Sequence, residues 1–167
     1  MEVDDWAYLS IVQDRSYQHA RKVLLSSYPK ECSMSAAELH DFLGKKRYAI
    51  LATSRPDGRA HATPVGFLVW RKALWIASVE GTKVRNLRSR PWASIVIIEG
   101  EPPGRHRAVI TEGKAKLYVT PSLALAPADL VGSWEQKHGH RPDWANVLVE
   151  VIPERLFSYD GGKGKSA

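Results

Sequence analysis

One cysteine in 167 residues excludes an internal disulfide and any thiolate-rich zinc or iron–sulfur centre. Cys32 is therefore read as a buried thiol without chemistry of its own. Long apolar runs are also missing: none approaches the roughly 20 residues that cross a bilayer. The opening MEVDDWAYLS carries acids where a secretory leader carries bases. These absences predict a cytoplasmic protein with no membrane partner. There is no internal repeat, no heptad register and no glycine-rich phosphate fingerprint. No basic arm or aromatic-studded recognition motif is present either, so nucleic acid is not an expected partner. His138 and His140, in KHGHRP, have no cysteine near them and read as a solvent-exposed turn, not as metal or haem ligands.

What is present is one domain's worth of core. The chain is 44% hydrophobic, enough to bury a sizeable interior at this length. Apolar residues at near-helical spacing, Trp6, Leu9, Val12, Ala20, Val23 and Leu24, predict a helix over about 5–25, interrupted at 15–18. Ser35 and Glu38 have the spacing of a capping box and predict a second, short helix whose apolar face is Leu39, Phe42 and Leu43. From Tyr48 the sequence changes to short β-rich runs: 48–54, 61–69, 74–78, 93–99, 108–118, 146–152 and 156–160. RPDG, residues 55–58, predicts a hairpin turn, because proline presets φ and glycine accepts a positive one. IVII, residues 95–98, is apolar on both faces and is expected to lie deep. A helical region over about 122–138 separates the last strands, with Pro127 weakening its middle. Strands outnumber helices, which predicts a small, mainly β barrel with peripheral helices.

The net charge of +6 favours an anionic partner, and the cations cluster at 44–47 and 83–90. Thr82 is placed to cap a helix from Lys83 to about Ser89, with Val84 and Leu87 inward and Pro91 ending it. Lys83, Arg85, Arg88 and Arg90 then face outward. Two readings stay open: a solvated amphipathic face, or a phosphate grip made of free backbone N–H groups, the helix dipole, a hydroxyl and an ammonium.

Four stretches, YAILATSRPDGRAHATPVGF, ALWIAS, GTKVRNLRSRP and ASIVI, resemble in order and spacing the flavin-binding split-barrel superfamily, which includes pyridoxamine 5′-phosphate oxidase and the flavin- or deazaflavin-dependent oxidoreductases. The resemblance implies a six-stranded antiparallel split β-barrel over 35–160; the helical extension and linker over 1–34 lie outside it, and the glycine-rich composition of 161–167 predicts a disordered tail. It implies a homodimer with cofactor sites at the subunit interface and a hydride or two-electron transfer to a small organic substrate. The cofactor would be FMN or, alternatively, the deazaflavin coenzyme F420, whose acidic tail would suit Lys45, Lys46 and Arg47. A non-catalytic flavin- or haem-binding role is the competing implication. By the same resemblance Lys83 grips the cofactor phosphate with Thr82 and Ser78, and Arg85 and Arg88 are further candidates. His61, Ala62, Thr63, Pro64 and Val65 lie along the ring, largely through backbone groups, and Trp92 and Ser94 reach the cofactor from either subunit. No catalytic side chain is identified and no metal site is expected. The C-terminal RLFSYDGGKGKSA lacks the arginine-rich pattern by which a dedicated pyridoxamine phosphate oxidase holds its substrate phosphate.

Overall fold

The computed structural model describes residues 4–101, 105–119 and 126–165. The N-terminal helix α1 (Asp5–Gln18) starts where the Asp4 carboxylate accepts from the N–H groups of Trp6 and Ala7. It ends at His19, and a separate α2 (Lys22–Ser27) follows, so the predicted long helix is two pieces. Leu9 and Val12 enter the main core, whereas Val23 is 80% exposed because α2 buries none of its residues. The helix α3 (Ala36–Lys45) carries the expected capping box, Ser35 and Glu38 each bonding the other's backbone N–H. Its Leu39, Phe42 and Leu43 are buried as expected.

The strands are β1 (Tyr48–Ser54), β2 (Ala60–Gly66), β3 (Leu68–Trp70), β4 (Ala73–Ser78), β5 (Trp92–Glu99), β6 (Arg107–Val119) and β7 (Val147–Asp160). They form one antiparallel sheet in the order β2-β1-β5-β6-β7-β4-β3. The two outermost strands are neighbours in the chain, separated by Phe67 alone. A single residue spans less than 4 Å, so the sheet's edges lie close together and the sheet is curled into a half-barrel. Seven strands replace the expected six. The run 61–69 breaks at Phe67, whose N–H bonds the Arg47 carbonyl instead of a sheet partner.

The two predicted runs 146–152 and 156–160 are one strand, β7. Pro153 does not end it, because Gly113 pairs with Pro153 and Glu112 with Arg155, leaving Glu154 as the extra residue of a bulge. Inside the curl, Leu51, Phe67, Ile76, Ile95, Val109, Val149 and Leu156 form the main core with α1 and α3. A smaller cluster, Trp75, Ala77, Leu130, Trp134 and Leu148, joins α5 (Ala128–His138) to the other face of β4 and β7. The helix α5 starts one residue after Pro127, and residues 122–125 of the predicted helical region lie outside the described residues. No helix among the described residues is long and apolar enough to cross a membrane.

The N-terminal helix is tied to β7 by a buried polar network. Tyr17 donates to the Ser158 carbonyl at 2.9 Å, Ser16 accepts from Leu156 N–H, and the Ser158 hydroxyl meets Gln13. At the chain's other end, Lys163 donates to Ser33 O and to Glu38, which anchors the segment after β7. The Asp160 carboxylate, 1% exposed, accepts from Arg105 Nε at 3.0 Å and from Gly162 N–H at 2.9 Å. Arg105 holds its carboxyl below the usual range. A lowered folded-state pKa gives stability that is complete above the unfolded value of about 3.9 and is lost as pH falls through the folded one. Thermal melts between about pH 5 and pH 2 are therefore expected to show a smaller acid loss for Asp160→Asn than for the parent protein.

Candidate cofactor site

The β1–β2 hairpin closes as RPDG predicts, with Gly58 at φ 87° and Arg55 N–H bonding Arg59 O at 2.9 Å. Beside it lies α4 (Thr82–Ser89). Val84 and Leu87 are buried, as their spacing predicts. The N-cap is Gly81, in extended backbone, and not Thr82. Thr82 is the first helical residue, and its hydroxyl accepts from Arg85 Nη2 at 3.3 Å instead of capping the backbone. The first intrahelical bond is Arg85 N–H to Gly81 O at 3.0 Å, so the Thr82, Lys83 and Val84 N–H groups have no intrahelical acceptor.

Asn86, which spacing did not single out, and Arg90, which it turned outward, fix this helix. Asn86 is buried and donates from Nδ2 to Thr53 Oγ1 at 2.9 Å, docking α4 on β1. Arg90 donates to the Pro56 carbonyl at 2.8 Å, docking the helix end on the hairpin. Both contacts join residues more than 30 positions apart, so no local pattern could reveal them. Asn86→Ala is expected to cost about 1–3 kcal/mol in urea-induced unfolding, as a buried bond is lost and the helix loses its anchor.

Between hairpin and helix runs a groove of about 680 Å³, lined by Arg55, Arg59, Thr82, Arg85, Asn86 and Arg88 among others. Arg59 is paired with Asp57 at 2.7 Å, and Arg88 with Glu80 at 2.7 Å. Both carboxyls are held below their ordinary range, chiefly by those arginine hydrogen bonds. Arg88, a candidate grip, is thus already engaged. Arg55 and Arg85 have no carboxylate partner among the described residues, and the buried Arg55 Nε makes no hydrogen bond. The groove keeps a net positive charge.

Lys83 is half-buried and has no protein partner among the described residues. It does not line the groove; one helical step from Thr82 places it on the flank between Asn86 and Leu87. Asn86 anchors that flank on Thr53, whose register partner is His61. Strand alternation puts His61, Thr63 and Val65 on the same side of β2, with Val65 in the core. The Nδ1 of His61 is buried without a partner. Ser78 is buried at the end of β4, where its hydroxyl donates to Val79 O at 2.9 Å.

Ala62, Pro64, Trp92 and Ser94 lie on the opposite, outer side of the sheet, as Ala93 and Ile95 between and beyond the last two are fully buried. Exposed Tyr48, Ile50 and Ile98 share that face, so the expected depth of 95–98 holds only for Ile95 and Ile97. One chain therefore does not bring all the predicted site residues together. His138 also departs from expectation: it is buried, with Nε2 3.0 Å from Phe67 O and its ring 4.2 Å from that of Trp134. Burial holds its pKa down. No group of three metal-ligating side chains occurs among the described residues.

The sequence signature of pyridoxamine 5′-phosphate oxidase matches residues 35–158, three quarters of the chain, including every element of this site. The chain belongs to the pyridoxamine 5′-phosphate oxidase family. Solved structures of the same fold include a conserved hypothetical protein of Mycobacterium tuberculosis, 26% identical, covering 84% of this chain and 93% of its own, at TM-score 0.68. A FAD-binding protein of Mesorhizobium loti is 21% identical over 77% of this chain and 94% of its own, at TM-score 0.62. HutZ, the heme storage protein of Vibrio cholerae, is 20% identical over 75% and 94%, also at 0.62. No curated protein matches the sequence. Membership of the family and the half-barrel fold agree with the resemblance read from the four sequence stretches.

Proposed function

We propose that this protein is a flavin- or deazaflavin-dependent oxidoreductase acting on a small organic substrate. The observation that supports it most is the first turn of α4: three N–H groups free of intrahelical bonds, beside an ammonium with no carboxylate partner among the described residues. The groove beside it has the volume usual for a cofactor site and an unbonded arginine nitrogen. These features fit the phosphate end of FMN or of F420.

In this reading Lys83 and the α4 amides hold the phosphate. Arg55 and Arg85 take any further anionic charge of the cofactor. Lys45 and Lys46 are not available for that purpose, since Asp41 and Glu99 already pair with them. Backbone groups of 61–65 orient the ring. When bound, the ring supplies the hydride or two-electron exchange. A second subunit completes the site: Trp92 and Ser94, on the outer face, belong to the partner-facing half, and the apolar Tyr48, Ile50 and Ile98 around them give that face a reason to be covered. Sedimentation only as an 18.7 kDa species would remove the dimer.

A second reading, storage or delivery of a flavin or haem without turnover, is favoured by the chemistry beside the groove. Both carboxylates there, Asp57 and Glu80, are tied to arginines, and the described lining offers no other carboxylate. The deciding experiment is to purify the protein without added cofactor, record its visible spectrum, and titrate it with FMN and with F420. The loaded protein is then reduced anaerobically and offered a panel of acceptors. Binding with reoxidation by one acceptor supports the enzyme. Binding without turnover supports the carrier, and failure of both cofactors to bind ends the proposal.

A further inference from the structure

At a separate place in the fold, the C-terminal end of α3 and the last turns of α5 wall a cleft of about 540 Å³, with Trp6, Leu68 and Val69 as its apolar sides. It shares no lining residue with the arginine groove. Four of its side chains are basic, His40, Lys45, Arg47 and Lys137, and none is a carboxylate.

Asp41 engages Lys45 from outside the lining. Arg47 is exposed and has no carboxylate partner among the described residues. Lys137 is half-buried. Its Nζ lies 4.1 Å from the centre of the Phe67 ring and donates to Leu43 O at 2.9 Å. That bond closes the end of α3, where a free carbonyl benefits from a cation. It uses one of three ammonium donors and supplies no counter-charge. Burial lowers the Lys137 pKa to about 8, which leaves the group mainly cationic at neutral pH. Ser133 and Gln136, on the same helix and in the same lining, add neutral polar groups.

A helix-capping role explains the Leu43 contact but not why a second cation, Arg47, faces the same cleft with no acid beside either. We propose that this cleft is a binding site for a small, multiply charged oxyanion, a phosphate monoester or a polycarboxylate, distinct from the cofactor groove. Arg47 offers a planar fork for two oxygens and Lys137 a compact charge in the same lining. The Trp6 ring, in edge contact with His40 at 4.8 Å, closes one side.

The test labels the full-length protein, without flavin, with trace acetic anhydride at pH 8 and locates acetylated lysines by peptide mass spectrometry. Inorganic phosphate and citrate are titrated in separate arms, with sodium chloride at matched ionic strength as control. Lys137 acetylation is expected to fall saturably, by about fivefold for the first pKa unit that the anion restores to the ammonium and about tenfold for each further unit. R47Q is expected to raise the half-saturating anion concentration about tenfold or more. Protection by phosphate alone assigns a phosphate ligand, by citrate alone a polycarboxylate, and by both a site that reads charge. No protection, protection equal to that by chloride, or an unchanged midpoint in R47Q overturns the proposal. Lys137 and Lys83 fall in different peptides, so the outcome is independent of whether a flavin binds at α4.

Discussion

Lys83→Ala is expected to weaken FMN binding about ten- to a hundredfold while leaving the melting temperature of the ligand-free protein unchanged. The affinity loss follows from removing one charge-assisted bond to phosphate, about 1.5–3 kcal/mol. The unchanged stability follows from the folded protein, in which the ammonium has no carboxylate or carbonyl partner among the described residues. Arg88→Ala is the informative contrast. Arg88 is held by Glu80 through two hydrogen bonds, so its charge is already largely neutralised, and its loss should change FMN affinity less than that of Lys83. Quenching of flavin fluorescence on titration measures both.

The second large effect concerns the frame that aims α4. Gly113→Ala is expected to destabilise the protein by about 3 kcal/mol or more, lowering its melting temperature by roughly 6–12 °C. A Cβ at this position would sit 1.9 Å from Ile152 O and 3.2 Å from Pro153 Cα, both backbone. No side chain can rotate away to make room. The strand cannot retreat either, since β5 pairs with β6 on its other side through the fully buried Ala93. Gly132→Ala provides the control: its added methyl meets nothing within 4 Å on α5, and a gain of about 0.5–1 kcal/mol is expected there. Equal melts for the two variants would show that the bulge at Glu112 and Gly113 is not rigid.

The features legible in the sequence are those with a local cause. Ser35 and Glu38 announced a helix start, RPDG a hairpin, and Val84 with Leu87 the buried side of α4, because each depends on residues within one or two turns of the chain. Side assignment along β2 and β5 was not legible. It depends on register against β1, and so the split of the candidate site between inner His61 and Thr63 and outer Trp92 and Ser94 emerged only from the sheet. The division of 146–160 into two runs fails for a related reason: a bulge opposite Gly113 carries β7 through Pro153 as one strand. The apolar IVII run reads as deep core, but Ile98 is 66% exposed, and an apolar outward surface has the same composition as an inward one. Spacing leaves Arg88 unpaired because its partner Glu80 sits outside the helix that sets the pattern. KHGHRP reads as a solvent-exposed turn, whereas the burial of His138 comes with the Phe67 carbonyl, brought in by the break between β2 and β3, and the Trp134 ring.

The proposed function requires the first turn of α4 to capture the terminal phosphate of a flavin lying between two barrels. A crystal structure of the protein grown with saturating FMN tests it most directly. Phosphate oxygens are expected within hydrogen-bond distance of Lys83 and the α4 N–H groups, with the ring against 61–65 of one subunit and near Trp92 or Ser94 of another. A flavin bound in a single subunit away from α4, or none at saturation, would contradict it.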